Sequence, residues 1–74
     1  MKQLPLQRKK MEAVLRYVVR AFEPGVRYPE KQVNELLARF HQDTAWLRWS
    51  LVDYGFVQRQ GGGGAYWRVD EVQP

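Results

Sequence analysis

Seventy-four residues without a single cysteine set narrow limits: the chain has neither disulfides nor thiolate metal ligands, and at this length only about 60% of the unfolded chain's surface is buried on folding. A hydrophobic content of 45%, with three Trp, four Tyr and three Phe, argues for one folded core rather than a disordered tail, while no apolar run approaches the roughly 20 residues of a membrane span. A net charge of +4 and an isoelectric point near 9.8 invite a nucleic-acid reading, with a solvated basic face as the bland alternative.

That charge is unevenly spread. Residues 1–22 carry Lys2, Arg8, Lys9, Lys10, Arg16 and Arg20 against Glu12 alone. Residues 23–60 hold five basic and five acidic side chains, and residues 61–74 set Arg68 against Asp70 and Glu71. The N-terminal "MKQLPLQRKK" is basic but is not followed by the apolar stretch of a signal peptide, so a cytoplasmic location is expected.

The first helix is expected from about Leu6–Arg8 to Phe22. Met11, Val14, Leu15, Val18 and Phe22 fall at i, i+3, i+4, i+7 and i+11 and share one face. Lys9, Glu12, Ala13, Arg16 and Arg20 then point outward. "EPG" at 23–25 ends the helix, because Pro24 cannot continue it and Gly25 tolerates a turn. "VRY" at 26–28 has the composition of a short strand. Pro29 suits the first turn of a second helix over 29–40, with Glu30 near its positive end and Val33, Leu36, Leu37 and Phe40 on one face.

"HQD" forms a tight connection in which Asp43 can cap the next helix. The third helix is expected over Thr44–Tyr54, closed by Gly55 in the left-handed conformation. Leu47, Leu51 and Tyr54 cluster on one side of it. Ala45, Trp49 and Asp53 lie on the far side, with Trp46 towards it.

"FVQRQGGGGAYWRV", residues 56–69, sets two β-forming runs around Gly61–Gly64. Too little chain follows for the glycines to be a linker, and no helix follows for them to be a phosphate loop. A hairpin tip remains, pairing Gln60 with Ala65, Gln58 with Trp67 and Phe56 with Val69. Phe56, Trp67 and Val69 then share one face. The other pairs Val57 with Arg68 and Arg59 with Tyr66, the latter couple suited to a cation–π contact. "DEVQP" reads as a frayed tail. The whole is one domain over 1–74 with an ordered core of about 7–70.

Helix, short strand, helix, tight turn, helix, strand, tip, strand is the order of an α+β winged helix-turn-helix domain, with the hairpin as its wing. Such folds commonly place the third helix in the major groove. "VNELLARFHQD", "LVDYGFVQR" and "YWR" also resemble an uncharacterised bacterial domain of unknown function that occurs alone or appended to ArsR-type winged-helix transcriptional regulators. The resemblance spans roughly residues 10–69. It implies a regulatory, nucleic-acid-related setting without enzymatic activity.

Two functions follow. In the first, a transcriptional regulator binds double-stranded DNA: Gln42, Thr44, Arg48 and Ser50 supply polar contacts from the third helix, Arg59 and Arg68 approach phosphates from the wing, and Lys9 and Arg16, with the arm residues Lys2, Arg8 and Lys10, add further phosphate contacts. Against it, the third helix is nearly neutral and carries tryptophan where base-reading helices carry Arg, Lys, Asn or Gln. In the second, Trp46 and Trp49 form an interface for a homodimer or a companion regulator domain, without direct base reading. The bland alternative is that "MKQLPL" or the tail folds over these rings. No enzyme is expected: with one Ser, one Thr and one His, nothing suggests a nucleophile, base and orienting group together. No cofactor or metal is expected, and His41 is assigned to the turn before the third helix.

Overall fold

The apolar spacing of the N-terminal third produces a helix, α1 (Pro5–Val18), in the computed structural model, which describes residues 5–69. A single 3₁₀ turn, Val19–Ala21, follows it. Leu15, Val18, Val19 and Phe22 are buried and Met11 packs against them, but Val14 is 49% exposed. The expected face was therefore rotated slightly. At about 100° per residue the buried arc is centred near Leu15 and reaches Val19 on one side, which leaves Val14 at its margin. Gly25, at φ 80°, turns the chain after Pro24.

The segment 26–28 does not become a strand of its own. Tyr28 makes one antiparallel bridge to Tyr66, with N–H···O distances of 2.8 Å in both directions. Helix α2 (Glu30–Leu37) is shorter than expected. The Pro29 carbonyl accepts from Gln32 and Val33, while Leu37 O accepts from Phe40 and His41 and so closes the helix in a turn. Phe40 consequently leaves the core face; it is 38% exposed and meets the Tyr17 ring edge-on at 6.0 Å.

Helix α3 (Thr44–Asp53) has both expected ends. Asp43 Oδ1 accepts from Trp46 N at 3.1 Å, and the Asp43 N–H donates to His41 Nδ1 at 2.9 Å. At the other end Gly55 adopts φ 82°, Gly55 N–H donates to Val52 O and Phe56 N–H to Leu51 O. That double bond pattern is a Schellman motif, which satisfies carbonyls a helix end otherwise leaves open.

Strands β1 (Val57–Arg59) and β2 (Tyr66–Arg68) pair antiparallel in the expected register, Val57 with Arg68, Gln58 with Trp67 and Arg59 with Tyr66. Gln60 N–H to Ala65 O and Val69 N–H to Phe56 O extend the ladder by one rung each way. Gly61–Gly63 make a tight turn at the tip, with Gly62 at φ 85°.

The face turned inward is the one with fewer apolar residues. Val57 and Tyr66 are buried, whereas Phe56, Trp67 and Val69 are half-buried. Tyr66 decides this, because its ring is buried in the core while its hydroxyl reaches Glu30 Oε1 at 3.2 Å. The core therefore draws on every element: Leu15, Val18 and Phe22, Tyr28, Val33 and Leu37, Leu47 and Leu51, Val57 and Tyr66. Three helices and a two-stranded antiparallel sheet make an α+β domain compatible with a winged helix. Among the described residues no helix is long and apolar enough to cross a membrane. Lys2, Asp70, Glu71 and the rest of the tail lie outside the described residues.

Candidate functional site

The helical repeat of α3 separates its side chains into two groups. Leu47 and Leu51 enter the core, with Thr44, Arg48, Ser50 and Val52 half-buried around them. The outward face carries Ala45, Trp46, Trp49 and Asp53. Trp46 and Trp49 are 45% and 49% exposed, and residues three apart on a helix are neighbours. The two indoles thus share the outward face of α3 with the Asp53 carboxylate.

Two flanking groups complete this face. His41, from the turn before α3, lies 5.3 Å from the Trp46 ring at a tilt of 52°. Arg59, from β1, sets its guanidinium 5.0 Å from the Trp49 ring centre. The cation–π contact expected between Arg59 and Tyr66 is not formed; it is the Arg48 guanidinium that lies over the Tyr66 ring, at 5.9 Å. Both arginines sit at the border between core and surface, where the aliphatic stem packs and the head finds a partner. Arg59 takes the outward ring of Trp49.

Arg48 is turned away from the outward face. Its side chain is only 12% exposed, it donates to Asn34 Oδ1, and it lies 3.7 Å from Glu30 Oε2. Since Glu30 also accepts the Tyr66 hydroxyl, this carboxylate and Arg48 together link α2, α3 and β2. Arg68 likewise reaches inward, donating to Phe22 O at 3.1 Å. Gln42 is exposed at the turn, while Thr44 and Ser50 are half-buried.

Lys9 and Arg16 are exposed two turns apart on α1, and Arg20, in the 3₁₀ turn that follows, is exposed as well. Arg16 also lies 5.6 Å over Phe56, and Arg8 lies 4.8 Å over Tyr54 while pairing with Glu12 at 3.9 Å. The residues proposed for nucleic acid thus fall into separate places rather than one: the outer side of α1, the turn before α3 with Gln42, α3 itself with Arg48 turned to the interior, and the hairpin. Trp46 and Trp49 share the outward face of α3, where only Arg59 of those residues reaches a ring. Among the described residues no group of His, Asp or Glu is placed to hold a metal ion.

Sequence reasoning found the two tryptophans but missed what Arg48 does. The signal was available in part: Glu30 at the start of α2 and Arg48 in α3 are opposite charges on helices that a helix-turn-helix brings into contact. Arg27, whose guanidinium lies 4.1 Å over Trp67, was also missed, because no periodicity relates a turn residue to a strand.

Neither a curated protein nor a solved structure matches the chain. A family model does, over residues 1–68, that is, α1 to the end of β2. The chain belongs to the family described as an uncharacterized protein conserved in bacteria, DUF2087.

Proposed function

We propose that this domain is a non-enzymatic, winged-helix-type association module, and that the outward face of α3 binds a second copy of the same chain. The observation that carries the reading is the exposure of Trp46 and Trp49 at 45% and 49%, side by side on one helix. Exposed apolar patches of this kind mark interfaces, and Trp is enriched among residues that dominate binding. The charges around the rings favour a like partner. Asp53 and Arg59 border the same indole surface with opposite signs, so a twofold arrangement sets each against its counterpart across the axis. A polyanion gains nothing from Asp53, and the helix offers it no outward Arg, Lys, Asn or Gln.

Sedimentation of the free protein over a concentration series tests this. Dimers are expected, and Trp49→Ala should convert them to monomers. Asp53→Arg should weaken association, and pairing it with Arg59→Asp should restore part of it. A wild type that stays monomeric throughout would overturn the reading.

A second reading, contact with double-stranded DNA, draws support from exposed Lys9 and Arg16 on α1 and exposed Arg20 in the turn after it. It is a phosphate contact without base reading, and it is compatible with association through α3. The resemblance to domains appended to ArsR-type regulators supports a cytoplasmic, regulatory setting for both.

A further inference from the structure

One large ring of α1 has no part in the core or in the α3 face. Tyr17 is 62% exposed, more than any other large apolar side chain among the described residues. Phe40 braces it edge-on at 6.0 Å, and Arg20, in the turn beyond the helix, places its guanidinium 5.9 Å from the ring centre. Ala13, Arg16 and Tyr17 share a face of α1 by their i, i+3 and i+4 spacing. With Arg20 they line an open groove of about 230 Å³, in which the small Ala13 side chain leaves room beside the phenol. We infer that this groove binds single-stranded nucleic acid, with an unpaired base stacked on Tyr17 and the neighbouring phosphates on Arg16 and Arg20. The inference shares with the second reading above only the contact of these cations with phosphate, and it does not depend on association through α3.

The ring carries the assignment. Cations alone would suit any phosphate chain, whereas an exposed phenol among them suits a chain whose bases are open. In a duplex each base face is covered by its neighbours in the stack, so Tyr17 has nothing to lie against. In a single strand every base offers a face. The groove is smaller than a pocket that encloses a whole small ligand, but a base needs only one wall to stack on and an exit for the chain on either side. The surroundings agree with this. Glu12, the one carboxylate of α1, pairs with Arg8 at 3.9 Å, while Lys9 and Lys10 are exposed a turn before Ala13. The α3 indoles are exposed too, but they share their face with Asp53, which repels the phosphates on either side of a stacked base.

Fluorescence anisotropy at low salt tests this with three labelled probes of equal length. They are a mixed-sequence single-stranded oligodeoxynucleotide, the same oligonucleotide annealed to its complement, and an abasic strand that keeps the phosphates without the bases. The single strand is expected to bind more tightly than the abasic strand. Tyr17→Ala should lower its affinity about tenfold, the loss expected for one stacked base, and should leave the abasic strand and the duplex unchanged. Tyr17→Phe keeps the ring and should keep the affinity. Arg20→Ala removes a phosphate contact and should weaken the single strand and the abasic strand alike. Because the Tyr17 ring is exposed, the thermal melt of Tyr17→Ala should stay close to wild type, which separates loss of binding from loss of fold. A single strand that binds through Tyr17 while the duplex does not bind supports the inference and removes the duplex reading. A duplex that binds while the single strand and the abasic strand do not differ keeps that reading and overturns the inference. Stacking lost in Trp49→Ala but kept in Tyr17→Ala puts the base on α3 and overturns it too, as does the absence of any binding at low salt.

Discussion

Removing the Arg48 side chain would strip a donor from Asn34 Oδ1 and a counter-charge from the Glu30 carboxylate that also holds the Tyr66 hydroxyl. The two losses differ in weight. Glu30 is nearly half exposed and its distance to Arg48 is 3.7 Å, so this ion pair contributes at most about 1 kcal/mol. The Asn34 bond is charge-assisted and part-buried, and the Arg48 stem also fills the space beside Tyr66. Arg48→Ala is therefore expected to lower unfolding stability by about 1–3 kcal/mol, read from urea denaturation. Arg48→Met keeps the stem and should recover part of that loss. A neutral Arg48→Ala would show that the guanidinium is not a structural link and would return it to the candidates for ligand contact.

The elements show where sequence was sufficient. Asp43 and Gly55 were readable as the two ends of α3 because caps are local: a carboxylate three residues before a free N–H, and a residue without Cβ where φ turns positive. Each supports a prediction. Asp43→Ala removes the bond to Trp46 N and should cost about 1 kcal/mol. Gly55→Ala meets no steric obstacle, so its cost of about 1 kcal/mol is that of placing a Cβ at φ 82°. Thermal melts of the two variants would check both, and a Gly55→Ala melt at or above wild type would contradict the left-handed cap. The hairpin register was equally legible, since equal flanks on either side of four glycines leave one symmetric pairing. Its inward face was not. Counting apolar residues favours Phe56, Trp67 and Val69, yet Val57 and Tyr66 are buried, because Tyr28 bridges Tyr66 and the phenol reaches Glu30. Those partners lie 38 and 36 residues away, and no local pattern encodes them. The same limit concealed the Arg27–Trp67 stack and left Val14 and Phe40 in the expected core.

At the scale of the whole molecule, the excess positive charge and the exposed tryptophans of α3 lie in different places. The excess positive charge lies in residues 1–22, whereas the α3 face pairs two indoles with Asp53 and Arg59 and has no net charge. A domain that read bases through α3 would concentrate cations there, because phosphates flank every groove edge. Here Lys9 and Arg16 follow one side of α1, about 10 Å apart by helical rise, with Arg20 in the turn just beyond, a reach long enough to meet successive phosphates along one strand. Duplex binding through this side is electrostatic, so the logarithm of affinity should fall linearly with the logarithm of salt, by about 0.9 for each phosphate neutralised. Lys9→Ala and Arg16→Ala should each flatten that slope by about 1, whatever the sequence of the duplex. Trp49→Ala should leave the slope of the monomer unchanged while abolishing self-association. Fluorescence anisotropy of labelled duplexes at several salt concentrations measures the slope, and sedimentation of the free protein the self-association. If Trp49→Ala instead altered preference among duplex sequences, the indole face would be in the groove, and the separation of association from phosphate contact would be lost.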